Sequence, residues 1–104
     1  GGHADGDADL PRVALREAEE ETGLRDLTVV DAIFDLDVHV IPARGAEPEH
    51  WHYDVRFVVR ANGSEQFEAN AESRAMAWRP ITDIAADERT DASIRRMARR
   101  WLAR

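Results

Sequence analysis

The sequence contains no cysteine, which excludes disulfide bonds, thiolate metal ligands and cysteine nucleophiles together. Lysine is also absent, so all 14 basic residues are arginine. The chain has 21 aspartates and glutamates, which gives a net charge of -7. A chain this acidic offers no broad basic face for nucleic acid or anionic lipid. No apolar run approaches the roughly 20 residues that span a bilayer. These absences predict a soluble, cytoplasmic protein with neither nucleic acid nor a membrane as partner.

The length of the chain limits the number of domains. With 104 residues, of which 43% are hydrophobic, there is enough apolar surface for one core. No internal repeat or interdomain linker divides the sequence. We therefore expect residues 1–104 to form a single domain.

A helix is predicted close to the start of the sequence, after a loop rich in glycine and aspartate. Residues 10–22 are mostly strong helix formers, and Asp9 stands where it can cap the first turn. Pro11 falls in that first turn, where its missing N–H costs little, and Gly23 supplies a stop.

The rest of the chain alternates between β-like patterns and turn signals, and it ends in a second helix over residues 91–103 with one apolar stripe. Segments that are β-branched or alternate apolar with polar residues are predicted as strands: 27–33, 35–41, 50–61 and 75–81. Asn62-Gly63 is a tight-turn signal. Trp51, Trp78 and Trp101 lie on apolar faces and are expected in the core, with stacking of Trp51 on a nucleobase as the alternative.

Glutamates crowd the last two turns of the first helix. Glu17, Glu20 and Glu21 are three and four residues apart and so share a helical face, where they repel one another and, like Glu19, oppose the helix dipole. One interpretation is an ordinary solvated acidic face. The other is a binding site for magnesium or manganese, because a divalent cation would convert this repulsion into attraction.

The residues around these glutamates favour the second interpretation. Gly2, followed by Arg16-Glu17-Ala18-Glu19-Glu20-Glu21-Thr22-Gly23-Leu24, resembles the Nudix box, in which identity, order and spacing are all specified. Eight of the nine specified positions match. The departure is Ala8, where the box has glutamate, and Asp7 or Asp9 are the candidates to replace that carboxylate.

The resemblance implies a fold, an activity and a set of site residues. The fold would be an α/β/α sandwich with a mixed sheet, of which one or more strands are expected upstream of Gly1. Glu17, Glu20 and Glu21 would bind magnesium, with manganese as an alternative, and Arg16 would pair with a carboxylate to orient the helix. The activity would be hydrolysis of a diphosphate linkage by metal-activated water.

Nudix enzymes often take a catalytic base or a further metal ligand from a loop outside the box. Glu65, Glu68 and Glu72 are the candidates here. Glu72 is preferred because it immediately precedes a predicted strand, although an ordinary solvated loop acid is an equal alternative.

A polar face is predicted on the strands 35–41 and 50–61 if they pair as a hairpin. It would carry Asp37, His39, His52, Asp54 and Arg56, in a pattern that resembles a subset of bacterial Nudix proteins. Arg56 could hold a phosphate, and His39 and His52 could hydrogen-bond a base or a sugar. Structural histidines and a histidine-based transition-metal site both stay open as alternatives.

Two functions of different class follow from the resemblance. The first is a hydrolase whose partner is a small nucleotide or another diphosphate substrate. The second is a Nudix nucleotide-binding module with little or no activity, which the Ala8 departure favours. An isomerase on the same fold is a distant third, because its characteristic cysteine is missing here, and a homodimer remains open.

Overall fold

The computed structural model describes residues 2–67 and 76–104 of the chain. It divides into two compact units, Gly1–Arg74 and Ala75–Arg104. The elements described in the first unit are one helix and four strands: α1 (Leu10–Thr22), β1 (Leu27–Val29), β2 (Asp35–Ile41), β3 (His50–Arg56) and β4 (Val59–Ala61). Those of the second unit are two helices: α2 (Ile81–Ala86) and α3 (Ala92–Ala103). The chain therefore has the mixed α/β composition that the sequence predicts.

Helix α1 begins and ends where its sequence predicts. The Asp9 side chain accepts a hydrogen bond from the backbone N–H of Arg12 at 3.3 Å, which satisfies one of the donors left over at the helix start. At the other end Gly23 adopts a φ of 69°, a conformation that costs glycine little, and its N–H donates to the Glu19 carbonyl. The helix packs against β1 and β4, with Val13 and Leu24 buried.

The strands form two antiparallel pairs. Strand β2 pairs with β3 over seven residues on each side, and β1 pairs with β4. The prediction of one strand over residues 50–61 was wrong, because β3 ends at Arg56 and β4 belongs to the other pair. The predicted strand 27–33 is likewise shorter, since β1 covers only the three residues that face β4.

Asn62 closes the β1–β4 pair instead of forming a hairpin turn between neighbouring strands. Its backbone N–H donates to the Asp26 carbonyl at 3.0 Å, and its side-chain amide donates to the Thr28 hydroxyl at 2.6 Å. Asp26 itself has a φ of 55°. These contacts connect segments more than 30 residues apart, so a local turn motif alone could not predict them.

The hairpin of β2 and β3 has an apolar face that is largely exposed. Leu36, Val38, Val40, Trp51 and Tyr53 all point to this face and retain 40% or more of their accessible surface. The expectation that Trp51 belongs to the core was therefore wrong. Alternation does select one apolar side of a strand, but burial also needs an element packed against it.

In the second unit, helices α2 and α3 pack on each other. Ala85 and Ala98 are buried, and the Nε of Arg99 donates to the Ala85 carbonyl at 3.3 Å. Helix α3 starts after Asp91, whose side chain accepts from the Ser93 N–H, so the predicted terminal helix is confirmed. No helix of the described residues is both long and apolar enough to cross a bilayer.

The predicted strand over residues 75–81 was wrong in its described part. Met76 to Pro80 are not in a strand, and Ile81 opens α2 with Pro80 as its N-cap. Proline has no N–H to give to a strand ladder, and its restricted φ suits a helix start. Trp78 is 55% exposed and Trp101 is partly buried, with the Arg104 guanidinium over its ring at 3.4 Å, so the expected core role fails for Trp78.

Candidate active site on helix α1 and polar face of the β2–β3 hairpin

The predicted metal-binding residues all lie on the C-terminal half of α1. Arg16 contacts Glu17, with 3.7 Å between a terminal guanidinium nitrogen and Oε1. The Glu17 side chain is only 17% exposed, whereas Glu20 is exposed and Glu21 is half-buried. One carboxylate is therefore held within the fold by an arginine, and a second is open to solvent.

Gly2 packs against the end of the Glu17 side chain. A Cβ added at position 2 would overlap the carboxyl carbon and both carboxyl oxygens of Glu17. The glycine that opens the Nudix-box pattern thus makes room for Glu17, the glutamate of the Arg16-Glu17 pair, 15 residues along the chain. Any other side chain at position 2 would displace the Glu17 carboxyl group from this position, because both would occupy the same volume.

The donor set on α1 suits a hard divalent cation. Magnesium commonly takes only one or two protein carboxylates and completes its octahedron with water and substrate phosphate oxygens. The carboxylates of Glu17, Glu20 and Glu21 are not gathered into one cluster within 4.8 Å among the described residues. The chemistry of these donors fits magnesium, because carboxylate oxygens are hard ligands, and their convergence on one ion belongs to the proposal.

The two aspartates beside Ala8 are both engaged at the start of α1. The Asp7 carboxylate accepts from Arg12 at 2.7 Å and from the Asp9 backbone N–H at 2.9 Å. The Arg12 hydrogen bond is the larger cause, and the Asp9 N–H the second, of an Asp7 pKa below its ordinary value. Asp9 caps the helix. Each of these carboxylates therefore has a local structural role, while Ala8 is exposed.

The β2–β3 pairing brings the predicted polar residues onto one face, as expected for a hairpin. Asp37 lies opposite Asp54, and His39 lies opposite His52. The two imidazole rings are 5.0 Å apart between centroids and tilted by 36°. His52 Nε2 lies 2.9 Å from Asp54 Oδ1, and His39 Nδ1 lies 4.0 Å from Asp54 Oδ2.

Arg56 is surrounded by carboxylates on this same face. It donates to the buried Asp35 at 3.2 Å, and its other terminal nitrogen lies 3.8 Å from both Asp37 and Asp54. A phosphate approaching Arg56 would meet three negative side chains. The role of Arg56 as a phosphate ligand stays a prediction, and its contacts are those of an internal counter-ion.

The contacts of two acidic residues became known only from the structure, although Asp54 itself was predicted to lie on this face. Asp35 is the one buried charged residue among those described, and it is held by Arg56. Asp54 touches both histidines. The alternation His52-x-Asp54-x-Arg56 was a visible signal for the latter, because residues two apart share a face. Of the candidate bases, Glu65 is exposed, and Glu68 and Glu72 lie outside the described residues.

Comparison with known protein families gives one match. The family model of the NUDIX domain matches residues 1–101 of the chain. The chain belongs to the Nudix family. Comparison with curated proteins found no match, and comparison with solved structures found none either.

Proposed function

We propose that the protein hydrolyses a diphosphate linkage in a nucleoside diphosphate derivative or a related pyrophosphate, with magnesium or manganese as cofactor. The observation that carries this proposal is the Nudix-box pattern on α1, in a chain whose family membership extends over residues 1–101. Helix α1 presents three glutamates at helical spacing next to an arginine that contacts the first of them. In this proposal the whole domain folds as the α/β/α sandwich that the family resemblance implies.

Five residues of the box have a role in the proposed reaction. Glu17, Glu20 and Glu21 hold the cation, and Arg16 orients Glu17 by pairing with it. Gly2 leaves the space in which the Glu17 carboxyl lies. A cation bound there would neutralise the diphosphate oxygens and lower the pKa of the attacking water. Glu72 is proposed as the base that accepts the proton of this water.

A second candidate function has its own supporting observation. The box has Ala8 in place of glutamate, and the neighbouring Asp7 and Asp9 are committed to Arg12 and to the helix cap. If that missing carboxylate is needed for turnover, the domain would bind nucleotides and hydrolyse them poorly. We regard this binding module as the alternative to the hydrolase.

A paired substitution on α1 tests the proposal. The protein is incubated with magnesium and a panel of dinucleotides, nucleoside triphosphates, nucleotide sugars and ADP-ribose, and the phosphate-bearing products are measured. Glu20→Gln should reduce the rate on any substrate found by at least about 100-fold, because it removes a ligand charge from the cation. Glu19→Gln is the matched control, since it makes the same chemical change on an exposed neighbour.

The outcomes separate the two functions. Activity that survives Glu20→Gln at the level of Glu19→Gln would contradict the assignment of the metal ligands. Nucleotide binding by calorimetry, without hydrolysis of any panel member, would favour the binding module.

A further inference from the structure

His39, His52 and Asp54 form a compact group of potential ligands outside helix α1. One nitrogen from each histidine and one carboxylate oxygen all lie within 4.8 Å of one another. Among the described residues this is the group of three that the geometry brings together for a metal ion. The three side chains come from two hydrogen-bonded strands, so their backbone positions are held by the β2–β3 ladder.

The spacing of these atoms is close to what a first coordination sphere needs. Zinc binds nitrogen and oxygen at 2.0–2.1 Å, which in a tetrahedral site separates the ligand atoms by roughly 3.3 Å. His52 Nε2 lies 2.9 Å from Asp54 Oδ1 and His39 Nδ1 lies 4.0 Å from Asp54 Oδ2, so each histidine is near this separation from one of the two carboxylate oxygens.

The charges around the group favour a cation. Asp35, Asp37 and Asp54 all face Arg56, so the carboxylates outnumber the guanidinium by three to one. Arg56 contacts Asp35 more closely than it contacts Asp54, with 3.2 Å against 3.8 Å. The Asp54 carboxylate thus keeps negative charge that a divalent ion can neutralise.

The identity of the ligands selects the class of metal. Imidazole nitrogens suit zinc, cobalt, nickel and iron, whereas magnesium prefers a shell of oxygen atoms. We propose that His39, His52 and Asp54 bind a divalent first-row transition-metal ion, zinc being the reference case, at a site separate from the glutamates of α1. Three protein ligands leave at least one coordination position for water or for a substrate atom.

The proposal differs from the other roles open to these histidines. In the absence of metal, His52 Nε2 and Asp54 Oδ1 share a hydrogen bond, and zinc would take the place of its proton. A histidine bound to a metal through one ring nitrogen keeps the other for a hydrogen bond, so metal binding removes only the coordinating nitrogen from contact with a base or sugar. The proposal does not depend on the diphosphate hydrolase activity.

Binding of zinc and cobalt to the purified, metal-free protein tests the proposal. Zinc affinity is measured by competition with a chromophoric chelator, and cobalt binding by its visible absorption bands, which report nitrogen ligation and coordination number. His39→Gln and His52→Gln should each weaken zinc binding by at least about tenfold. His50→Gln is the matched control, because His50 lies on the same strand but outside the group of three.

Variants of the box keep this test independent of the proposed function. Glu20→Gln should retain the cobalt spectrum of the wild type, since it alters only the carboxylates of α1. Thermal unfolding of each variant without metal shows whether it is folded, and His39 is exposed enough for its substitution to be tolerated. Zinc binding with no hydrolysis of any substrate would support the metal site of the two histidines and Asp54 and contradict only the proposed hydrolase activity.

Two results would overturn the site. The first is zinc affinity in His39→Gln and His52→Gln equal to that of His50→Gln. The second is a nitrogen NMR spectrum in which the ring nitrogens of His39 and His52 do not shift when zinc is added, which would return these histidines to a structural or substrate-binding role.

Discussion

Gly2 lies directly against the carboxyl group of Glu17, at a distance that leaves no room for a Cβ. Glu17 also contacts Arg16, so its carboxyl group lies against both Gly2 and Arg16. The proposed metal site thus depends on a residue that has no side chain and no chemistry of its own. Because Gly2 has no side chain, the Glu17 carboxyl group can occupy its observed position.

Gly2→Ala should therefore weaken metal binding while leaving the fold intact. The added methyl group overlaps only the end of a flexible side chain, so Glu17 can rotate away at little cost in stability. We expect a loss of magnesium or manganese affinity of roughly 10-fold to 100-fold, as is usual when the support of a ligand is removed. Titration with Mn²⁺, followed by water proton relaxation, measures this affinity without a substrate.

The control for this variant is its thermal unfolding temperature. An unchanged unfolding temperature with weakened Mn²⁺ binding is the expected combination. Unaltered Mn²⁺ affinity in folded Gly2→Ala would argue that the position of Glu17 is irrelevant to the metal.

The ion pair between Arg56 and Asp35 should contribute more to stability than the other contacts of Arg56. The Asp35 side chain is buried and lies 3.2 Å from Arg56, whereas Asp37 is about one-third exposed at 3.8 Å. A carboxylate buried without its counter-ion is costly, so Arg56→Gln should lower the free energy of unfolding by about 2 kcal/mol. Chemical denaturation of the single and double variants measures this.

Double-mutant cycles give the matched comparison for Arg56. The coupling energy with Asp35→Asn should exceed about 1 kcal/mol, and that with Asp37→Asn should fall below about 0.5 kcal/mol. Equal couplings would contradict the view that burial distinguishes these two aspartates.

Much of the local structure could be predicted from the sequence. The prediction failed where contacts between segments far apart in the sequence determine the structure. The bounds of α1 were predictable because Asp9 and Gly23 are local signals that act within one turn. Strand β4 was merged with β3 because alternation continues through residues 57 and 58, although the two strands pair with different partners. Helix α2 was missed, since its six residues, Ile81–Ala86, carry too short a pattern.

In the candidate sites, too, features set by local patterns could be predicted and features set by distant contacts could not. Alternation and a single hairpin were enough to predict that His39 and His52 share a face, and the register then placed them opposite each other. The burial of Asp35 was not predictable, because it depends on what covers the end of β2 rather than on its own sequence neighbours. The overlap between Gly2 and Glu17 likewise joins a loop to a helix, and only the box spacing indicated it.

The ion pair of Asp7 with Arg12 gives a prediction about acid titration. Hydrogen bonds from Arg12 and then from the Asp9 N–H lower the Asp7 pKa from its ordinary 3.8. A lowered carboxyl pKa stabilises the fold above the unfolded-state value, and this stabilisation is lost as pH falls through the folded-state value. Arg12→Gln should raise the pKa of Asp7, as measured from the pH dependence of its carboxyl carbon chemical shift.

Asp87 is the internal control for that titration. Its pKa is lowered mainly by the backbone N–H of Arg89 and then by the Arg89 side chain, in the other unit of the chain. It should therefore not respond to Arg12→Gln. An Asp7 carboxyl that titrates at the same pH in both proteins would show that the Arg12 contact does not persist in solution.

Gly23 ends helix α1 two residues after Glu21, and its replacement tests how much this cap contributes to stability. Its φ of 69° strains any residue with a Cβ, and Gly23→Ala should cost about 1–2 kcal/mol. For a chain of this size that corresponds to roughly 4–8 °C in unfolding temperature for each kcal/mol. Gly23→Asn is the matched control, because asparagine tolerates the left-handed conformation and should lose less than about half as much. Equal losses in calorimetry would indicate that the cap conformation is not the reason for glycine here.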